Sequence, residues 1–294
     1  MSIFLKILVP LLFSFGSLFA AEVPPPDSIS SFDEFISRMN FAKTDINYNL
    51  IEFKTGYYGV TFNKSALRQN FAPAYLMEIK YGFFRIDTAY SRSRLVKTAS
   101  EYTFIGNMSS HMKPRNWVSP GLTTDNWRFG FGFTNGWGWR IGNKSRLILT
   151  HAGDLVWSHI DIEQSLSERE RQKYLDDFDD IYKFGNSYSS GISLIMGGVS
   201  ISTRYEHLAV YPSVVGGKWL ASSSLELVLQ RSIDYFSQEL INRNTLFAPV
   251  LIYTAKTLLS TAIYEMKRNK SFFPFSSTAP INYDGVQISI KYLF

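Results

Sequence analysis

Large aromatic side chains occupy alternate positions within residues 127–141, and this pattern limits the possible folds more than any other part of the chain. Five of them lie on either side of the tripeptide 134–136: Phe129, Phe131, Phe133, Trp137 and Trp139. A period of two predicts β-structure with one aromatic face and one face of small or polar residues. We expect 134–136 to form a three-residue turn, so that Phe133 opposes Trp137 across a hairpin.

Other segments repeat this alternation. One of them carries Tyr75, Met77, Ile79, Tyr81 and Phe83 on a single face. We expect a turn at 152–154 between two further strands, and a β-bulge at 197–198, where two glycines interrupt an alternating run. Together these segments predict a meander of short antiparallel hairpins.

Composition fits a folded protein with a sizeable core and excludes several other classes. Hydrophobic residues make up 45% of the 294 residues and charged residues 19%, which rules out a disordered or fibrous chain. The net charge is +5, and the basic residues are scattered rather than clustered. We therefore expect no nucleic-acid partner.

The N-terminal residues have the layout of a secretory signal. Lys6 precedes an almost wholly apolar run at 7–19, and Ala20 and Ala21 follow it. We predict a signal peptide at 1–20 and a proline-rich linker with a short helix at 21–45. The chain contains no cysteine, which is common in bacterial envelope proteins and unusual in secreted eukaryotic proteins of this size.

Two segments leave the β-pattern. Residues 218–269 carry apolar side chains at helical spacing in two runs, which predicts a helical hairpin that bends near 242–244. Residues 165–180 are charged all round, which predicts a helix in solvent. The predicted main domain covers 46–294 and contains the helical insertion 218–269 just before its last strand.

The last ten residues carry the most specific resemblance. Apolar residues alternate up to a final aromatic one: Val286, Ile288, Ile290, Tyr292 and Phe294. This strand resembles the closing strand of bacterial outer-membrane β-barrel proteins. The resemblance implies a mainly β fold, an antiparallel transmembrane β-barrel of about eight to twelve strands with a helical hairpin inserted before the last strand, located in the bacterial outer membrane.

The same resemblance implies roles for individual residues. Phe294 and Tyr292 would form the signal that the outer-membrane assembly machinery reads. The aromatics of the segment 127–141 would face outer-membrane lipid: Phe129, Phe131, Phe133, Trp137 and Trp139.

Polar residues near the middle of the chain are the weak candidates for catalysis. His151 or His159, with Asp154 and Ser158, would supply the base, carboxylate and hydroxyl that outer-membrane lipid hydrolases and acyltransferases use. We expect them instead to be interface or lumen-facing polar residues. The sequence indicates no cofactor and no metal site, since the acidic cluster at 176–180 lacks the glycine and the spacing of a calcium loop.

Three functions fit these patterns. The leading hypothesis is a non-enzymatic outer-membrane barrel, acting as a small pore or as a structural or scaffolding component of the envelope. The alternatives are an outer-membrane lipid-modifying hydrolase or acyltransferase, and a soluble periplasmic barrel that binds an apolar ligand. Residues 218–269 would either plug the barrel or lie outside it, where they could bind an envelope protein partner.

Overall fold

Eight antiparallel strands form a closed barrel, in which each strand pairs with its neighbours along the chain and the first pairs with the last. The strands are β1 (Ile46–Phe62), β2 (Ala74–Asp87), β3 (Leu95–Ser109), β4 (Thr123–Arg140), β5 (Ser145–Glu163), β6 (Ile181–Met196), β7 (Val199–Val210) and β8 (Ile281–Leu293). The expected antiparallel barrel is thereby confirmed, with eight strands.

The computed structural model describes residues 46–62, 71–87, 94–112, 121–142, 144–163, 175–213, 216–242, 246–268, 270–275 and 277–294. The predicted signal peptide, linker and N-terminal helix lie outside the described residues. Of the charged segment 165–180, the described part 175–180 forms a turn in which Leu175 and Phe178 are buried. The predicted helix therefore does not extend over these six residues.

The two ends of the barrel differ in their connections. At the terminal end, where β1 begins and β8 ends, β4 joins β5 over four residues and β6 joins β7 over residues 197–198. The backbone N–H of Asn49 donates to the carbonyl of Phe294 at 2.8 Å, and the N–H of Phe294 donates back at 3.1 Å. At the opposite loop end, longer segments join β1 to β2, β3 to β4 and β5 to β6.

Two predicted turns and one predicted bulge differ from the structure. β4 continues through 134–136 and β5 through 152–154, so the expected turns there are wrong. Thr134 pairs with Ser100 on one side and Ala152 on the other, and a central strand satisfies both edges of its backbone in this way. The expected bulge at 197–198 is instead a two-residue turn between β6 and β7, with Gly197 at a φ of +61°.

Glycines on the inner face of β4 make room for neighbouring residues. A Cβ atom at Gly132 would lie 1.9 Å from Oδ1 of Asp154, and one at Gly138 would lie 1.8 Å from the carbonyl oxygen of Leu147. Neither distance is compatible with a side chain. The small face of the aromatic segment is therefore the inner face, and its aromatics point outward.

Two helices follow β7 and precede β8, as predicted: α1 (Gly216–Asn242) and α2 (Ala248–Lys267). Their position is outside the barrel. The indole Nε1 of Trp139 donates to the carbonyl of Leu246 at 2.9 Å, and the hydroxyl of Tyr188 donates to Oγ1 of Thr261 at 3.0 Å. Trp139 and Tyr188 both point away from the lumen, so the helical hairpin lies on the outer wall and does not plug the barrel.

Within the described helices, no run of residues is apolar enough over a sufficient length to cross a membrane as a helix.

Candidate functional site

The outer surface of the barrel is largely apolar. Alternate residues of the strands point outward, and large apolar side chains among them are about half exposed, as the 50% exposure of Phe131 illustrates. This exposed band includes Phe53, Met77, Ile79, Tyr81, Phe83, Ile105, Trp127, Phe129, Phe131, Phe133, Ile192, Ile201, Val286, Ile288 and Ile290. A contiguous apolar surface of this extent marks contact with lipid or with another protein.

The lumen, in contrast to the outer surface, contains charged side chains. Nine buried ionisable side chains form a charged layer across its middle: Glu52, Lys54, Glu78, Lys80, Arg128, Asp154, Arg204, Glu206 and Lys291. With five bases and four acids, the layer has a formal net charge of +1. Buried charges are rare unless they are paired, so the partners of each member decide whether the layer is stable.

Arg128 is the centre of the charged layer. Its Nη2 atom lies 2.8 Å from Oε2 of Glu78 and 2.9 Å from Oε1 of Glu206. The Nζ atom of Lys54 lies 2.6 Å from the other oxygen of Glu78 and 3.5 Å from that of Glu206. The Tyr58 hydroxyl also donates to Glu206. All five side chains are fully buried, so together they close the lumen at this level.

Two further groups complete the layer. Asp154 accepts hydrogen bonds from the hydroxyls of Tyr102 at 2.7 Å and Ser187 at 3.0 Å, and lies 3.9 Å from Nζ of Lys80.

In the second group, the Glu52 carboxylate forms two ion pairs. Its Oε1 atom lies 3.4 Å from Nη1 of Arg204, and its Oε2 atom lies 3.5 Å from Nζ of Lys291. Glu52 also pairs in register with Lys80 on β2 and with Lys291 on β8. Opposite charges on adjacent strands stabilise that register.

Apolar clusters lie on both sides of the charged layer. The cluster at the terminal end contains Leu50, Phe84, Ile86, Val96, Ile148, Ile195 and Leu293. A larger cluster fills the loop end and includes Tyr58, Leu76, Met108, Ile160 and Leu208. A cavity of about 10 Å³ beside Lys291 and Thr134 has room for about one water molecule. The described interior is therefore packed with side chains along its length.

Beneath the helices, the outer wall also carries polar side chains. We define the covered strip as His151 of β5, Tyr188 of β6, His207 of β7 and Asp284 of β8. Nε2 of His151 lies 3.2 Å from the carbonyl oxygen of Tyr253 and 3.1 Å from Oγ1 of Thr257, both on α2.

The other members of the strip are also enclosed. The ring of His207 lies 4.8 Å from that of Tyr188 and 4.2 Å from that of Tyr264 on α2, and His207 is hydrogen-bonded to Asp284. α2 thus supplies polar partners to the covered strip.

The helical hairpin has its own polar contacts. Nζ of Lys267 lies 2.6 Å from Oε2 of Glu226, and Nε2 of Gln230 donates to Oγ of Ser260 at 2.8 Å, which joins α1 to α2. At the loop end, burial raises the pKa of the Tyr211 hydroxyl above its ordinary value, and the Glu226 carboxylate adds to the effect. The ion pair and the hydrogen bond hold α1 against α2.

The four candidate catalytic residues lie on two faces of one strand. His151 and His159 point outward from β5, whereas Asp154 and Ser158 are buried in the lumen. Asp154 is engaged in the charged layer, and Nε2 of His159 lies 3.3 Å from Asp180. The structure therefore does not bring these residues together as a site. Among the described residues, no three His, Asp or Glu side chains form a metal-binding group.

The predicted aromatic residues lie on the face that the sequence indicates. Phe129, Phe131 and Phe133 are exposed, and Trp137 and Trp139 share their face but are half-buried under the hairpin. Five residues of the closing strand also point outward and are exposed: Val286, Ile288, Ile290, Tyr292 and Phe294.

Sequence reasoning missed the charged layer and the covered strip. The layer has a detectable signal, because Glu52 and Lys54 on β1, and Glu78 and Lys80 on β2, occupy alternate positions opposite an apolar face. The covered strip has no such signal, since its members come from four separate strands.

No protein-family model and no curated protein sequence matches the chain. Among solved structures, the chain is similar to Neisserial surface protein A, with 8% identity, a TM-score of 0.36, and coverage of 84% of this chain and 97% of that one. It is also similar to Ail, the attachment invasion locus protein of Yersinia pestis, with 8% identity, a TM-score of 0.28, and coverage of 84% and 98%. Both are outer-membrane β-barrel proteins.

Proposed function

We propose that the chain is a bacterial outer-membrane β-barrel protein with a structural, non-enzymatic role in the envelope. The supporting observation is the reversed distribution of polarity, with an apolar band outside and a fully buried charged layer inside. A closed barrel satisfies its backbone hydrogen bonds without water, as a membrane-spanning structure must. The strands, of 12 to 19 residues, exceed the roughly 9–11 residues that span a bilayer.

The packed lumen favours a structural role over a small pore. Ions cross a barrel through a water-filled interior, and Arg128, Glu78 and Glu206 occupy that space as fully buried, paired side chains. The same packing argues against a soluble barrel that binds an apolar ligand, because such a protein needs an apolar cavity inside and a polar surface outside.

Lipid and the outer-membrane assembly machinery are the partners that this proposal requires. Lipid would surround the exposed band. The assembly machinery would read the last strand, where Tyr292 and Phe294 point outward with ring centroids 5.8 Å apart.

Membrane fractionation tests the location. After washes with carbonate or urea, we expect the protein to remain in the outer-membrane fraction and to show a heat-modifiable shift on gels, as folded barrels do. Recovery in the soluble periplasmic fraction would overturn the proposal.

Planar-bilayer recording tests the structural role. We expect the folded, inserted protein to leave the bilayer without a stable conductance. Reproducible conductance steps from heat-modifiable protein would assign it a pore function instead.

A further inference from the structure

α2 meets the covered strip with polar side chains, whereas near its N-terminal end Ala248 and Ile252 lie in an apolar cluster with Leu95, Trp137 and Trp139. Thr257 and Thr261 contact the covered strip through their hydroxyls, and Tyr264 packs its ring against His207. These groups pair with a wall that would otherwise present histidine and carboxylate side chains to its surroundings. α2 therefore uses its polar residues for internal contacts.

The side of α2 that faces away from the barrel is apolar. Phe247, just before the helix, is 71% exposed, Leu251 is 52% exposed and Leu258 is 40% exposed. We define the outer stripe as the exposed residues Leu246, Phe247, Val250, Leu251, Thr254, Ala255 and Leu258. None of these is charged, and the first exposed charged residue of α2 is Glu265 near its C-terminal end.

A helix on a water-soluble protein exposes its polar side, whereas α2 exposes an apolar one over most of its length. The exposed wall of the barrel is apolar as well, and Trp137 and Trp139, which pack beside α2, follow Phe129, Phe131 and Phe133 on the same face of β4. The outer stripe and the exposed band of the barrel are thus both apolar and lie near each other, so we expect both to have the same surroundings. Resting on the proposed function, we infer that the outer stripe of α2 contacts the acyl chains of the bilayer.

The position of α2 along the barrel agrees with this contact. Its N-terminal end lies beside Trp139, at the terminal end of the barrel, and its C-terminal part lies beside His207 and Asp284, towards the loop end. Twenty residues of helix extend about 30 Å, which is close to the thickness of the hydrocarbon core. We limit the contact to α2, because the sequence of α1 contains Arg231, Asp234 and Glu239.

Lipid-borne quenchers test the contact directly. Because the chain has no cysteine, single-cysteine variants accept one fluorescent NBD label each. We would label Leu251→Cys and Leu258→Cys in the full-length protein, folded into phosphatidylcholine vesicles, with Phe131→Cys as the barrel-wall reference and Lys144→Cys, in an exposed turn, as the water reference. Nitroxide groups on the acyl chains report lipid contact, and iodide reports water contact.

We expect nitroxide lipid to quench the fluorescence of the labels at 251 and 258 as strongly as that of the label at 131. We expect iodide to leave the fluorescence at 251 and 258 largely unquenched. Quenching of the label at 131 by lipid, with iodide quenching at 251 and 258, would overturn the inference and leave the proposed function intact. Protection of 251 and 258 from both quenchers would mean that protein, such as a second copy of the chain, covers the stripe, and would also overturn it. Iodide quenching at 131 itself would refute the proposed function.

Discussion

Nδ1 of His207 lies 2.5 Å from Oδ1 of Asp284, and this hydrogen-bonded pair is on the outer wall of the barrel rather than in its lumen. Both side chains are mostly buried, because Tyr264 of α2 packs over them. A carboxylate that faces hydrocarbon is unfavourable. The pair is therefore compatible with a membrane only while α2 stays in place.

Replacing residues 218–269 with a short turn tests this dependence. We expect the shortened chain to give much less folded, inserted protein than the full chain, because His151 and the His207–Asp284 pair would lose their cover and face lipid. The measurement is the heat-modifiable fraction after refolding into lipid vesicles.

A second shortened chain supplies the control. It carries His151→Leu, His207→Leu and Asp284→Leu together, which makes the covered strip apolar. We expect it to regain much of the lost insertion. Equal insertion of the full chain and the unmodified shortened chain would show that the hairpin does not shield the strip.

Arg128→Met tests the charged layer. The substitution removes one of the two cations that Glu78 and Glu206 share and leaves Lys54 as the other, and loss of one partner from a buried ion pair costs about 3–5 kcal/mol. The free energy of unfolding in urea, measured in detergent or lipid, should fall by about that amount. Arg85→Met is the matched control, because Arg85 and Glu101 form an exposed pair at 3.4 Å that is worth about 0–1 kcal/mol. Similar losses in both variants would contradict the central role of Arg128.

Phe131→Asp tests the lipid-facing side of β4. Phe131 lies near the middle of the strand and is half exposed, and a charged residue on the lipid face of a barrel costs up to a few kcal/mol near the midplane, less for Asp than for Arg. We expect reduced insertion into vesicles for Phe131→Asp and normal insertion for Phe131→Leu. Unchanged insertion of the Asp variant would show that this face does not contact lipid.

The structure also explains how far the sequence could predict β4. Phe133 and Trp137 differ by four positions, so a continuous strand places them on the same face, and so does a hairpin with a three-residue turn. The alternating pattern therefore predicts the aromatic face correctly in both cases and cannot identify the turn. Pairing of Thr134 with residues on two neighbouring strands decides between them, and this pairing is a long-range property.

Phe294→Ala tests the predicted assembly signal. The backbone bonds between Phe294 and Asn49 do not need the aromatic ring, so the variant should refold in vesicles like the unmodified protein. In cells, it should give less folded protein in the outer membrane, because the assembly machinery would lack the terminal aromatic. Phe294→Tyr keeps an aromatic ring and should assemble normally. Normal assembly of the Ala variant would remove the proposed role of this residue.

The helical region shows a second limit of prediction. Helical spacing in 218–269 predicts two helices correctly, because that signal is local. Whether they enter the lumen depends on the space inside, which the charged layer and the apolar clusters occupy. Their docking site, the covered strip, forms only when four strands have come together.

The pairing of Glu52 with Lys80 and Lys291 also constrains how the barrel can close. If β1 and β8 met one residue out of step, every side chain of the misplaced strand would change faces. If the misplaced strand were β1, Glu52 and Lys54 would face hydrocarbon, and Arg204 and Lys291 would lose Glu52 as their counter-ion. The ion pairs inside this barrel thus select one alignment of its first and last strands, because the observed register keeps Glu52 and Lys291 opposite each other in the lumen.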